Sequence, residues 1–190
     1  MTDIDIANAD RLLTTTRSVR RRLDLERPVP AELVEECLQV ALQAPTGGNL
    51  QMWRFVVVTD VDKRRAIADV YRKAWDVYLQ AAPTTYAYRD DDPRAAAHPR
   101  VVSSSQHLAD HLHEAPVLLV PCVMGRIDDT PHFRTVTALA SVLPAVWSFM
   151  LAARARGLGT CMTAPVSRPI RTACSTRPYV AAAAQPGQSA

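Results

Sequence analysis

The sequence lacks a strong excess of charge of either sign, and this limits the partners that it is suited to bind. Its 190 residues carry 22 Lys and Arg against 19 Asp and Glu, a formal net charge of only +3. It also lacks a stripe of basic residues alternating with aromatic ones, which is the usual mark of a nucleic-acid-binding surface. We therefore expect no nucleic-acid partner.

Cysteine is scarce, and no two cysteines have the Cys-x-x-Cys spacing. The four are Cys37, Cys122, Cys161 and Cys174, and three of them lie inside apolar runs. This pattern is typical of buried, reduced thiols in a cytoplasmic protein. The N-terminal stretch MTDIDIANADRLL carries acidic residues where an export signal carries basic ones, so no signal peptide is predicted.

A long uninterrupted hydrophobic run is also missing. The most apolar stretch, VTALASVLPAVWSFMLAARARG, contains Pro144. Its continuous apolar part is shorter than the roughly 20 residues that a membrane-spanning helix needs. We expect a core or interface helix here and no membrane partner.

Helical and strand patterns alternate along most of the chain. The predicted helices cover about 4–15, 31–44, 63–78, 101–113 and 135–156, and the predicted strands cover 55–59, 115–123 and a third segment beginning at GLGTCMT after Gly157. Residues 80–100, rich in Pro, Asp and Tyr, predict a mobile excursion. The alternation predicts an α/β or α+β sheet layered with helices.

The amino-acid composition changes after residue 163. Residues 164–190 contain no acidic residue, scattered prolines and a run of alanines. Such a stretch is typical of disorder or of sequence foreign to the fold. We therefore expect one domain over residues 1–163 and a separate tail over 164–190.

The segment TTTRSVRRRL forms a basic corner after the first predicted helix. Arg17 and Arg20 offer forked donors that match phosphate oxygens, and Ser18 adds a hydroxyl. Together the three side chains suit a phosphomonoester. The alternative is a solvated basic face with no ligand.

The loop in QAPTGGNLQMWRFVVVTD joins a helix to a strand. Gly47 and Gly48 allow the backbone to approach a flat ligand closely, and Asn49 and Gln51 offer the donors and acceptors that a heterocycle edge requires. The alternative is a plain turn before a core strand. The loop lacks the lysine of a P-loop, and GLGT lacks the third glycine of a dinucleotide fingerprint.

Signals for other chemistry are weak. His107 and His111 are four residues apart on a predicted helix, but the order is not that of a zinc-binding H-E-x-x-H helix. An exposed helix face explains them better, and no Ser/His/Asp constellation stands out. We predict no metal site.

The segments TRSVRRRLD, LQVALQAPTGGNLQMWRFVVVTD, APVLLVPC and ARGLGTC occur in this order. In order and spacing they resemble the FMN-dependent nitroreductase family, in particular its actinobacterial nitroreductase-like oxidoreductases, over about residues 10–163. The resemblance implies an α+β fold of three layers, with a central, mostly antiparallel sheet flanked by helices. It also implies a homodimer with two FMN sites, each built from both subunits.

The resemblance also implies a role for each motif residue. The cofactor-binding residues carried over are Arg17, Ser18 and Arg20 at the FMN phosphate and ribityl chain, Pro45, Thr46, Gly47, Asn49 and Gln51 along the flavin, and backbone groups of Thr163 and Ala164 near its N5 atom. The implied activity is hydride transfer from NAD(P)H through flavin N5 to a nitroaromatic, quinone or similar small electrophile. No catalytic side chain is expected, because the flavin carries the chemistry.

Several positions depart from the family pattern. Thr16 stands where many members have another Arg, Met52 replaces a common Pro, and Met162 replaces a common Trp. Family members continue beyond GLGTC with a helix, a strand and a basic residue that reaches the phosphate, a pattern that residues 164–190 do not show. We expect these residues to derive from a shifted reading frame or a truncated gene. The alternative function is accordingly a non-catalytic remnant that binds FMN weakly.

Overall fold

The computed structural model describes residues 4–85, 91–125 and 131–163, and these residues form five α-helices and two strands. The helices are α1 (Ile6–Thr15), α2 (Ala31–Ala41), α3 (Val61–Thr85), α4 (Pro93–His111) and α5 (His132–Ala155), and the strands are β1 (Trp53–Val58) and β2 (Leu118–Val123). Short 3-10 turns cover Gly47–Asn49 and Leu112–Glu114. The expectations for Ala164 and for the tail over 164–190 lie outside the described residues.

The two strands form an antiparallel pair that separates two apolar layers. Trp53 lies opposite Val123, and Val58 lies opposite Leu118. Because successive side chains of a strand point to opposite faces, Leu119 packs with α2 and α5 while Leu118 packs with α3 and α4. The three-layer α+β arrangement expected from the resemblance is therefore confirmed.

The long helix α5 forms much of one layer. Its buried side includes Val142, Val146 and Phe149, and these residues pack against α2 and β2. In the part of the chain that the structure describes, α5 is the one helix long and apolar enough to cross a membrane, and 39% of its most apolar window is buried. Core helices of ordinary domains have the same length and composition, so this property does not distinguish a membrane span.

The expected excursion over residues 80–100 is wrong for the residues described there. The helix α3 continues to Thr85, and α4 begins at Pro93. Alanine-rich sequence favours helix on both sides, and the Asp92 carboxylate caps α4 by accepting a hydrogen bond of 2.8 Å from the Arg94 N–H. Pro93 then occupies the first helical turn, where its missing N–H costs nothing.

The expected third strand after Gly157 is also wrong for the described residues. Residues 158–163 form no strand and pair with no strand there. The Val19 N–H donates to the Thr160 carbonyl at 2.9 Å, so this segment is joined to the basic corner by a single backbone bond. We call Thr160–Thr163 the exit segment.

The start of α3 gives a first test of the fold. Asp60 Oδ1 accepts a hydrogen bond of 2.9 Å from the Lys63 N–H, whereas Asp62 forms only an exposed ion pair with Arg65 at 3.6 Å. We expect Asp60→Ala to lower the free energy of unfolding by about 1 kcal/mol, the usual value of an N-cap. Asp62→Ala removes the same charge and should cost less than about 0.5 kcal/mol. Urea unfolding compares them, and equal losses would contradict the assignment of Asp60 as the cap.

Candidate functional site

The basic corner begins where α1 ends. Thr16 is buried, and its N–H and hydroxyl both donate to the Leu12 carbonyl. The helix ends there because the backbone of Thr16 is extended, with φ −68° and ψ 127°. Arg17 is exposed, and its Nη1 donates to the Thr16 carbonyl at 2.8 Å. The chain then turns so that Val19 meets Thr160. The corner is therefore a turn joined by a hydrogen bond to the exit segment, with Arg17 and Ser18 exposed.

The corner and the exit segment meet in one cluster of polar side chains. Val19, which lies between Ser18 and Arg20, donates its N–H to the Thr160 carbonyl at 2.9 Å, next to the buried Cys161. The Tyr71 hydroxyl, reaching over from α3, lies 2.8 Å from Thr163 Oγ1. We call Ser18, Arg20, Tyr71, Cys161 and Thr163 the corner cluster. Its members come from three parts of the chain, so only the folded protein assembles it.

The charge of the corner cluster is positive. Burial raises the pKa of the Cys161 thiol, and the charge of Arg20 and the hydrogen bonds from Ser18 and Arg20 offset this only in part. Burial likewise raises the pKa of Tyr71, against the opposing hydrogen bond from Thr163. Both groups therefore stay neutral near pH 7, and neither neutralises Arg20. Such a charge beside a hydroxyl donor suits an anionic ligand.

The loop over Pro45–Gln51 has an unusual backbone. Gly48, Asn49 and Gln51 have φ values of 60°, 56° and 48°. Glycine and asparagine adopt this left-handed region readily, but glutamine does so at a cost. The Gln51 N–H donates to Thr46 Oγ1 at 3.2 Å, and Gln51 Nε2 donates to Asn49 Oδ1 at 2.9 Å. The loop is held in this form by its own polar side chains.

The same loop rests on the first half of α5. The Gly47 N–H donates to Ser141 Oγ at 3.2 Å, and a Cβ atom at Gly47 would lie 3.1 Å from Thr137 Cγ2. A larger residue at position 47 would therefore need Thr137 to shift by a few tenths of an ångström. The sequence analysis did not identify Thr137 and Ser141, because a Thr and a Ser four residues apart do not stand out in a helix that also carries Thr135 and Ser148.

The predicted site residues thus fall into two groups. Ser18, Arg20 and Thr163 lie together in the corner cluster, with Arg17 beside them. The loop carrying Pro45, Thr46, Gly47, Asn49 and Gln51 lies elsewhere. The loop contacts α5 at Ser141, while the corner end of α1 contacts it at Arg154, whose Nη2 lies 3.3 Å from Thr15 Oγ1. Thirteen residues of α-helix separate these contacts by about 20 Å.

A shallow groove of about 570 Å³ lies along α4, next to the corner. It is lined by Arg21, Pro99, Val102, Ser103, Gln106, His107 and Asp110. Its polar groups already bind one another: Arg21 donates to Ser103, and Gln106 bonds Trp75 and Asp110. The arginine of the groove, Arg21, is bound to Ser103, and the groove includes neither Ser18 nor Arg20. The corner cluster is therefore the better candidate for an anion-binding site. Within the described ranges, no group of three or more His, Cys, Asp or Glu is placed to hold a metal ion.

Parts of the chain are similar in sequence to known proteins. The chain is 40% identical over 83 residues to a protein named NADH dehydrogenase from Thermus thermophilus, which covers 43% of this chain and 38% of that protein. It is 26% identical over 150 residues to Protein DrgA from Synechocystis sp., covering 76% of this chain and 65% of that protein. The matched segments thus span less than two thirds of the length of either relative.

The fold is shared with proteins of known structure. The crystal structure of oxidized iodotyrosine deiodinase bound to FMN and 3-iodo-L-tyrosine superposes with a TM-score of 0.66 at 23% identity, covering 93% of this chain and 89% of that one. The model of the Nitroreductase family matches residues 13–171, a range that contains both the corner cluster and the loop. Because this match extends over most of the 190 residues, the chain belongs to the nitroreductase family.

Proposed function

We propose that this protein is an FMN-dependent oxidoreductase that acts as a homodimer. One observation carries the proposal: the basic corner meets the exit segment, where the Val19 N–H donates to the Thr160 carbonyl at 2.9 Å, although more than 140 residues separate the two in sequence. The basic corner and the segment after Gly157, two motifs that the resemblance assigns to one cofactor, are therefore neighbours in the folded chain. The FMN seen in the structure of iodotyrosine deiodinase supports the choice of cofactor.

The chemistry of the donor set fits FMN. Arg17, Ser18 and Arg20 would hold the phosphate, and within the described residues neither arginine forms an ion pair with a carboxylate. The left-handed backbone at Gly48, Asn49 and Gln51 exposes polar groups that would lie along the ring system. Backbone groups near Thr163 and Ala164 would lie toward N5.

The outer face of α5 supports the dimer. At helical spacing this face presents Phe133, Val136, Ala140, Leu143, Pro144, Trp147 and Leu151, which we call the outer stripe. Phe133 is 66% exposed, Val136 49% and Trp147 40%. A contiguous apolar stripe without a charged residue is unfavourable in water and typical of an interface.

The positions of the two site groups along α5 also support a two-subunit site. The loop and the corner are about 20 Å apart along one helix, so a single ligand cannot easily touch both in one subunit. Two copies of α5 packed antiparallel about a two-fold axis would bring the loop of one copy beside the corner of the other. The midpoint between Ser141 and Arg154 falls at Trp147, which would then lie near the axis.

When bound, FMN would supply the redox chemistry, a hydride transfer between a reduced nicotinamide and an acceptor. The chain's own contribution is position and electrostatics. Arg20 and Ser18 would anchor the phosphate, and the loop would lie along the ring. We infer a small electrophile as acceptor, such as a nitroaromatic or a quinone, NADH or NADPH as donor, and a cytoplasmic location.

The activity is tested directly. Without oxygen, the purified protein supplied with FMN should oxidise NADH or NADPH over many turnovers when a quinone acceptor is present, and no more than one equivalent per bound FMN when it is absent. The control is free FMN at the same concentration. Turnover no faster than this control, in a protein that is folded, would favour the non-catalytic remnant.

The loop can be tested by separating its backbone from its side chain. We expect Asn49→Ala to weaken FMN binding by about 3- to 10-fold, because it loses the Gln51–Asn49 hydrogen bond and strains a left-handed residue. Asn49→Gly removes the same side chain but tolerates the backbone angle, so it should lose less. Titration of FMN into both variants gives the comparison. Wild-type affinity in Asn49→Ala would show that the loop is only a turn.

A further inference from the structure

The exit segment is held by few bonds. Just before it, the Leu158 N–H donates to the Ala153 carbonyl. At its start, the Thr160 carbonyl accepts a hydrogen bond from the Val19 N–H. Within the part of the chain described, the other fixed point near its end is the hydrogen bond of 2.8 Å between Tyr71 and Thr163. With so few hydrogen bonds, the position of the segment's backbone depends on each one of them.

Tyr71 is the rigid member of this pair. It is 4% exposed and packs with Ala68, Trp75, Leu108 and Leu112 in the layer formed by α3 and α4. Cys161 belongs to the same packed group. A buried hydroxyl is costly without a hydrogen-bond partner, so the Tyr71 ring and Thr163 fix one another.

We propose that Tyr71 is a positioning residue for the cofactor phosphate, acting through Thr163 and the exit segment on Ser18 and Arg20. The proposal rests on the proposed function, since it assumes that these two side chains bind the FMN phosphate. Tyr71 itself touches no part of the ligand in this scheme. Its bond to Thr163 fixes the exit segment, whose Thr160 carbonyl holds the Val19 N–H between Ser18 and Arg20, so that both side chains keep their orientation before the phosphate arrives.

The test uses two ligands that differ only in the phosphate. FMN and riboflavin are titrated separately into the full-length protein, and the quenching of flavin fluorescence gives each dissociation constant. We expect Tyr71→Phe to weaken FMN binding by about 3- to 10-fold, the equivalent of one hydrogen bond. Riboflavin keeps the ribityl chain and the ring but lacks the phosphate, so its binding should weaken less than that of FMN, and the ratio of the riboflavin to the FMN dissociation constant should fall.

A matched control is available on the same helix. Tyr78 lies two turns farther along α3, stacked on Trp75 with ring centroids 5.1 Å apart. Tyr78→Phe also removes a hydroxyl but not the bond to Thr163, so it should keep the wild-type ratio of riboflavin to FMN dissociation constants. Should Tyr71→Phe fail to fold, Thr163→Val removes the same hydrogen bond from the other side and is judged by the same ratio.

The outcomes separate this inference from the proposed function. A wild-type protein that prefers FMN, together with an unchanged ratio in Tyr71→Phe, overturns the inference alone. Equal weakening of both ligands also overturns it, because it would show a general structural role. A wild-type protein that binds neither flavin overturns the proposed function, and the inference with it.

Discussion

Replacing Arg20 by alanine is expected to weaken FMN binding by roughly 10- to 150-fold, the loss of one charge-assisted hydrogen bond of about 1.5–3 kcal/mol. Arg20 is half-buried, and its charge acts on both Cys161 and Tyr71. Because both of those groups stay neutral, the charge remains for an anionic ligand. Titration of FMN into the variant measures the loss.

The neighbouring arginine provides a matched control. Arg21 is exposed, and its Nη2 donates to the Ser103 hydroxyl and carbonyl on α4, away from the corner cluster. Arg21→Ala therefore removes the same net charge without removing the proposed phosphate contact. We expect it to weaken FMN binding by less than about 3-fold. Similar losses for both variants would show that the effect is long-range charge and not a contact with Arg20.

Replacing Trp147 by glutamate is expected to dissociate the dimer. In the proposed assembly Trp147 of each copy lies near the two-fold axis, so the variant buries two like charges at the centre of the interface. A central aromatic residue commonly contributes 2 kcal/mol or more, which would raise the dimer dissociation constant by at least about 30-fold. Sedimentation at several concentrations measures the change.

A substitution on another surface controls for added charge. Val77 is 46% exposed, close to the 40% of Trp147, but it lies on α3 and outside the outer stripe. Val77→Glu should leave the oligomeric state unchanged. FMN affinity should fall in Trp147→Glu alone, since each site of the proposed dimer is built from both subunits. A wild-type protein that is monomeric at micromolar concentration would contradict the two-subunit site.

Local sequence patterns predicted the residues of the corner and the loop, but not how they are held. Arg17, Ser18 and Arg20 stand out because basic residues and a hydroxyl follow directly after a helix. Tyr71 gives no such signal, because one tyrosine in an amphipathic helix looks like any core aromatic. Its contact with Thr163 spans 92 residues and is set by the packing of α3, which no local pattern specifies.

The errors in the fold have local physical causes. Prolines and aspartates suggested an excursion over 80–100, but Asp92 and Pro93 act together as a helix start, and the alanines around them favour helix. The apolar, β-branched texture after Gly157 suggested a strand. A strand also needs a ladder partner, and within the described residues Thr160 finds only a single bond from Val19.

The most direct measurement is the visible absorbance spectrum of the purified protein after incubation with FMN and removal of free flavin. The proposed site predicts bound flavin at one FMN per subunit, retained by Arg21→Ala and largely lost by Arg20→Ala. A folded wild-type protein that emerges without flavin absorbance would contradict the proposal that the corner cluster and the loop form an FMN site.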